Sequence, residues 1–236
     1  MALFHSPSIV TSGLVLCLDA GNTKSYPGSG TTWTDLVQGI AFSSFGTQTP
    51  VEVVNGATSF AFNNSGYWQS TSGHENVDMG GDCTLLMWIY AENVTTRKTI
   101  FEKAPTIYNS YEQEIAVTWE VDETFSWYSR YNTYDYGLTP AISQNKWSLV
   151  GIKMSSGRTA SARTGFYSIN GGNWISNYTS RSSTSLVSSG ALRVGNGYAG
   201  VVENGNISMV MCYNKMLSDN EIQQNYNALK SRFGLT

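Results

Sequence analysis

The residues best placed to do chemistry in this chain are the carboxylates of Trp119-Glu120-Val121-Asp122-Glu123-Thr124. Side chains two apart on a strand share a face, so Glu120 and Asp122 could stand side by side. Two carboxyl groups about 5–5.5 Å apart are what a retaining glycosidase uses as nucleophile and acid. Thr124 occupies the next position on that face, and Glu123 has the opposite parity. The segment reads better as the exposed acidic end of a hairpin between strands at Glu114–Trp119 and Thr124–Tyr128. No catalytic residue is assigned.

Other chemistries find less support. No Gly-x-Ser-x-Gly elbow occurs, and the two histidines, His5 and His74, fall in an N-terminal arm and a loop. Gly28-Ser-Gly30 has neither the following helix nor the Lys-Ser/Thr of a phosphate loop. Cys17, Cys83 and Cys212 are odd in number, far apart and set in apolar runs, so they read as buried thiols of a chain that folds in a reducing cytoplasm. Without Cys-x-x-Cys spacing no zinc site is expected. Asp78, Asp82, Glu203 and Asn204 could lend oxygens to a calcium ion. They form no spaced cluster, so the expectation is solvated loop groups, no assigned metal ligand and no cofactor.

Recognition has a stronger signal. Nine aromatics fall within the 29 residues from Tyr108 to Tyr136. Such rings serve protein interfaces and can also stack on sugars. Some, such as Phe125 and Trp127, read as inward core positions, because strand parity sends only alternate residues outward. Arg130, Tyr131, Tyr134 and Tyr136, expected on a loop after a strand, are the candidate binding residues, with protein contact preferred over glycan.

The elements that must position these residues are mostly strands. Short apolar or alternating runs recur at Leu14–Asp19, Val51–Val54, Ser59–Phe62, Tyr67–Gln69, Cys83–Tyr90, Thr99–Lys103, Glu114–Trp119, Thr124–Tyr128, Trp147–Met154, Thr164–Ile169, Ala191–Val194 and Gly205–Asn214. Turn signals such as Asn55-Gly56, Asn170-Gly171 and Asn204-Gly205 separate them. A dozen short antiparallel strands predict an all-β, two-sheet antiparallel sandwich. One helix is expected at about 218–233. Ser218 and Glu221 form a capping box, Ile222, Tyr226, Leu229 and Phe233 make one apolar face, and Gly234 ends it. Ser176–Gly190, with seven Ser and two Thr, reads as a polar loop with at most a short strand near Leu186-Val187. Residues 1–11 lack periodicity and are expected to form an arm, leaving 12–236 as a single domain.

Composition bounds the partners. Of 236 residues only 31 are charged, whereas Ser, Thr and Asn number 72, and the net charge is −3. That lacks the basic excess a nucleic-acid phosphate backbone demands. No apolar run approaches the roughly 20 residues of a membrane helix, and no signal peptide is read at the N-terminus. Neither nucleic acid nor membrane is an expected partner.

Two stretches carry a family resemblance. Gly13-Leu-Val-Leu-Cys-Leu-Asp-Ala-Gly-Asn through Trp33-Thr-Asp-Leu36 resembles the start of laminin-G-like (concanavalin A-like) jelly-roll domains in tailed-bacteriophage virion proteins. Gly205 through Gly234 is similar to their last strand and terminal helix, and Cys83–Tyr90 and Lys146–Lys153 fit their inner strands. The resemblance implies a non-enzymatic module: a capsid-decoration, head-fibre or tail-associated virion component made in the host cytoplasm. Its partners would be other virion proteins and further copies of itself. The alternative is a lectin-like receptor module of a tail fibre binding cell-surface glycans. Retaining β-glucanases of the same broad fold carry a third carboxylate where Thr124 stands here, which argues against hydrolysis.

Overall fold

The computed structural model describes residues 7–47, 51–72, 74–105, 112–131, 134–155, 164–179 and 190–236. Its strands in chain order are β1 (Leu14–Asp19), β2 (Thr32–Thr34), β3 (Ala41–Gly46), β4 (Val51–Val54), β5 (Ala57–Phe62), β6 (Gly66–Ser70), β7 (Cys83–Ala91) and β8 (Lys98–Ala104). They continue with β9 (Glu112–Trp119), β10 (Phe125–Tyr131), β11 (Tyr134–Leu138), β12 (Trp147–Met154), β13 (Thr164–Ile169), β14 (Ile175–Thr179), β15 (Ala191–Val194) and β16 (Gly205–Tyr213). Helix α1 (Asp219–Leu229) runs into a 3-10 turn, Lys230–Phe233.

The strands form the expected two-sheet antiparallel sandwich. One sheet has the order β14-β13-β12-β7-β16-β5-β4, with β1 also on β16; the other is β11-β10-β9-β8-β15-β6-β3-β2. Between them lies a core that includes Trp33, Phe60, Trp68, Phe101, Trp119 and Trp127. Strands β7, β12 and β16 are buried at almost every position rather than every second one. That pattern requires cover on both faces. Leu85, Met87 and Ile89 face the inter-sheet core, while Leu86 and Trp88 face a second apolar cluster with Ile222 and Phe233.

Helix α1 supplies that outer cover. Ser218 caps it and Glu221 returns the bond to the Ser218 N–H, closing the capping box. Phe233 stacks on Trp88 with centroids 3.9 Å apart, and Tyr226 lies against the same indole at 5.9 Å. Gly234 ends the element at φ 68, a left-handed conformation that favours glycine. Lys153 of β12 donates to Leu217 O at 2.9 Å beneath the helix entrance and lies 4.6 Å from the Trp174 ring. Burial lowers its pKa, and Asp219 and Glu221 oppose that shift.

The structure corrects three expectations. The supposed arm is described from residue 7, and there it belongs to the fold. Val10 is buried; its N–H donates to Asn225 Oδ1 at 2.8 Å, Tyr213 OH donates to Val10 O at 3.0 Å, and Gln224 Nε2 donates to Ser8 O. Second, β2, β3 and β11 form where no strand is expected, and β14 occupies the start of the supposed polar loop. Leu186 and Val187 lie outside the described residues. Third, Leu229 is only partly buried, so the full burial on the helix face falls to Ile222 and Phe233.

Candidate functional site

Glu120, Asp122 and Glu123 sit in the turn joining β9 to β10, closed by Glu120 N–H to Thr124 O at 3.0 Å. Glu120 accepts from Arg97 Nε at 2.8 Å and Thr118 Oγ1 at 2.7 Å. Asp122 accepts from Thr124 Oγ1 at 2.6 Å, and that hydroxyl holds its carboxyl below the usual range. Glu123, at φ 61, accepts from Gln144 Nε2. Because these residues form a turn, strand parity does not align them; each carboxylate is committed to a local partner.

The candidate recognition residues fall elsewhere than expected. Arg130 and Tyr131 close strand β10, while Tyr134 and Tyr136 lie on β11. They are strand residues of one hairpin, with Arg130 opposite Tyr134 and Tyr128 opposite Tyr136. The alternation of polar and aromatic residues through this stretch suits two paired strands as well as it suits a loop. Strand β11 ends the second sheet. The side chains of Tyr128, Arg130, Tyr131, Tyr134 and Tyr136, and all of Tyr108 and Tyr111, lie outside the described residues. Trp119, Phe125 and Trp127 are core residues, each at most 1% exposed.

Across the same sheet, the ladder sets Gln69 beside Arg193 and Arg193 beside Glu102. Arg193 Nη1 meets Glu102 Oε2 at 3.1 Å with both side chains buried, and Arg193 Nε donates to Gln69 Oε1 at 2.9 Å. The loop after β15 folds over this pair. Tyr198 N–H donates to Glu102 Oε1 at 3.0 Å and Ala199 N–H to Thr99 Oγ1 at 3.0 Å. A Cβ on Gly197 would fall 2.4 Å from Thr99 Cγ2, so only glycine lets that loop lie so close. The centre of this outer face is therefore closed by the chain itself. Adjacent charges inside an apolar run, Glu102-Lys103, are the sequence signal for this buried polar centre.

Lys103 points to the other side and pairs with Glu114 at 2.9 Å, both side chains at most 1% exposed. Glu114 reaches it through a bulge. Ala116 stands opposite Tyr128 but Gln113 stands opposite Arg130, so β9 spends three residues where β10 spends two. Lys103 Nζ also donates to Val77 O, and Glu114 Oε1 accepts the Met79 N–H, which fastens the segment before β7 over this end of the core.

The oxygens considered for calcium are divided between the ends of β8. Glu203 pairs with Lys98 and accepts from Thr95 and Thr96, and Asn204 donates to Asn93 O. Asp78 lies within the Val77–Met79 segment and accepts from Gly80 N–H at 2.9 Å. Lys98 and Lys103, which mark the two ends, are five strand residues apart, about 17 Å. Among the described residues no group of three or more His, Cys, Asp or Glu could hold a metal. The three cysteines are buried, and the Cys83 thiol donates to Met79 O at 3.4 Å. Burial pushes the Cys17 thiol up to about 12 and raises Cys212 as well, which suppresses the nucleophilic thiolate.

Residues 45–223 match the sequence pattern of the concanavalin A-like lectin/glucanases superfamily. No curated protein matches the chain. The fold is similar to domain 4 of AbnA, a GH43 extracellular arabinanase from Geobacillus stearothermophilus, in complex with arabinotriose. Identity there is 12%, the TM-score 0.66, and coverage 91% of this chain and 98% of that domain. Trypanosoma rangeli sialidase is similar at 13% identity and TM-score 0.62 over 95% of this chain and 34% of the sialidase, so the chain spans about a third of that enzyme's length. The binding domain of botulinum neurotoxin DC, in complex with rat synaptotagmin II, gives 14% identity and TM-score 0.63 over 92% of this chain and 52% of that one. At such identities the likeness is one of fold alone.

Proposed function

The chain belongs to the concanavalin A-like lectin/glucanases superfamily, and from that premise we propose that it is a non-enzymatic virion component of a tailed bacteriophage, working through protein–protein contacts. The observation that carries the reading is the position of β11. It is the terminal strand of the second sheet, and its tyrosines face Arg130 and Tyr128 in register. A terminal strand offers main-chain donors and acceptors to a partner strand, and aromatic and arginine residues make the anchors of packed interfaces. The non-enzymatic reading is supported by the carboxylates: Glu120 is spent on Arg97 and Thr118, Asp122 on Thr124, and Glu102 on Arg193. Low charge and abundant Ser, Thr and Asn suit a surface packed among other subunits, assembled in the host cytoplasm.

A glycan-binding receptor module is the second reading. It is favoured by the likeness to an arabinanase domain captured with arabinotriose, which this chain covers almost entirely. One experiment separates the two. A Tyr131→Ala, Tyr134→Ala variant should fail to enter virions while keeping its fold. Normal incorporation with lost saccharide binding on a glycan array selects the lectin reading, and normal incorporation with no glycan effect rejects the hairpin in both. Hydrolysis of β-glucan that disappears in Glu120→Gln overturns the non-enzymatic assignment.

A further inference from the structure

At the opposite edge of the second sheet from β11, the loop between β1 and β2 folds back and leaves a cavity of about 440 Å³ against the edge strand. The loop is riveted in place rather than loose. Thr34 N–H donates to Ser25 O at 2.8 Å, Ser25 Oγ donates to Thr34 O at 2.6 Å, and Asp19 N–H donates to Ser25 Oγ at 3.1 Å. From beneath, Tyr26 is buried against Phe60 and Trp68, and its hydroxyl donates to Gly30 O at 3.0 Å. Gly28 and Gly30 hold φ of 93 and 100 with no atom within 4 Å of where a Cβ would stand. Of the two, Gly30 lines the cavity, so part of that lining is main chain in a conformation that other residues rarely adopt.

The lining is chemically narrow. Thr23, Ser29, Thr31, Thr32 and Thr34 supply hydroxyls, Pro27 the single apolar ring, and Lys24 the single charge; no carboxylate lines the cavity. We propose that this cavity is a binding site for an acidic saccharide, with Lys24 meeting the sugar carboxylate and the Ser and Thr hydroxyls meeting the ring hydroxyls. Three observations select that ligand. Hydroxyl side chains both donate and accept, as sugar hydroxyls do. The lone cation with no opposing carboxylate favours one negative group. The volume lies within the range of small-molecule sites, about 300–1,000 Å³, and is far larger than a free phosphate or sulfate fills. A peptide would look for an apolar anchor pocket, and this lining has none. The site is independent of the β10–β11 hairpin, so the two assignments fail separately.

The test is a titration of the purified full chain with trigalacturonate and sialyllactose, alongside galactotriose and lactose as neutral counterparts. At least one acidic sugar should bind with a dissociation constant of about 1 mM or tighter and about tenfold better than its counterpart. Lys24→Gln should erase that preference, and Thr31→Trp, which places a large ring in the cavity from an exposed position, should remove binding of both. Virion incorporation should be unchanged in either variant. Binding of neither acidic sugar, binding that survives Thr31→Trp, or competition by inorganic sulfate at equal concentration overturns the proposal, the last by marking a simple anion site.

Discussion

Arg232 grips Asp19 with two hydrogen bonds, Nη1 to Oδ2 at 2.7 Å and Nη2 to Oδ1 at 2.6 Å. The pair ties the end of the first strand to the turn after the last helix, so the two terminal motifs of the sequence form one structural unit. Gly21 makes room for it: a Cβ there would stand 2.3 Å from Arg232 Nη2. Asp19 is buried, so losing the guanidinium strands a desolvated carboxylate.

Gly21→Ala should therefore act as an indirect loss of Arg232. Each of Gly21→Ala and Arg232→Ala should cost about 2 kcal/mol, the range for hydrogen bonds to charged groups. The double variant should be little worse than either single, because both remove the same contact. Chemical denaturation of the four proteins measures the coupling. Additive losses would show that Gly21 matters for some other reason.

The burial on the helix face also ranks its residues. Phe233 is 2% exposed and stacked on Trp88, while Leu229 is only partly buried. Phe233→Ala should cost about 3–5 kcal/mol, as large aromatic truncations in cores do, and Leu229→Ala clearly less. Equal losses in thermal or urea unfolding would mean that the helix docks through a different face.

This helix is legible in the sequence because its signals are local: a capping box, a repeat of four, three and four, and a terminal glycine. The central strands are legible for a related reason. Continuous apolar runs such as Leu85-Leu86-Met87-Trp88 announce cover on both faces. Strands β2 and β3 escape notice because Thr32-Trp33-Thr34 and Ser43-Ser44 carry little hydrophobic period; neighbouring strands, not propensity, make them extended. The candidate site is legible only in part. Composition singles out the Tyr108–Tyr136 stretch, but not that Arg130 and Tyr134 would face each other across a hairpin. The cavity at Lys24 depends on Ser25 and Tyr26 being pinned by residues of β2 and the core, which no local motif encodes. Glu114 is hidden for a third reason, since a bulge reverses the face that its position predicts.

Acid should weaken one rim contact in a defined window. Thr95 and Thr96 hydroxyls, both at 2.6 Å, and Lys98 at 3.1 Å hold the Glu203 carboxyl at about 2 against an ordinary 4.5, the Thr95 hydroxyl contributing most. A folded value below the unfolded one means that the carboxylate stabilises the fold above the ordinary value and loses that effect as pH falls toward 2. Glu203→Gln should therefore melt below the parent protein at neutral pH, with the gap closing between about pH 4.5 and 2. A gap that stays constant across that window would mean that the carboxylate's charge contributes nothing.

The Lys103–Glu114 pair should behave oppositely to a surface ion pair. Both side chains are at most 1% exposed, so removing one partner leaves a charge in the core, at a cost of about 3–5 kcal/mol. Lys103→Met and Glu114→Leu are each expected to fall in that range. Combined, they leave no charge behind, and the double variant should be more stable than either single. Recovery should stop short of the parent protein. Val77 O would lose the ammonium donor and Met79 N–H its carboxylate acceptor, and a hydrogen bond to a charged group is worth about 1.5–3 kcal/mol. The ordering is readable from urea midpoints at constant slope. If the double variant is instead the least stable, the two losses are separate packing effects, and the bulge that turns Glu114 inward serves the fold through something other than the ion pair.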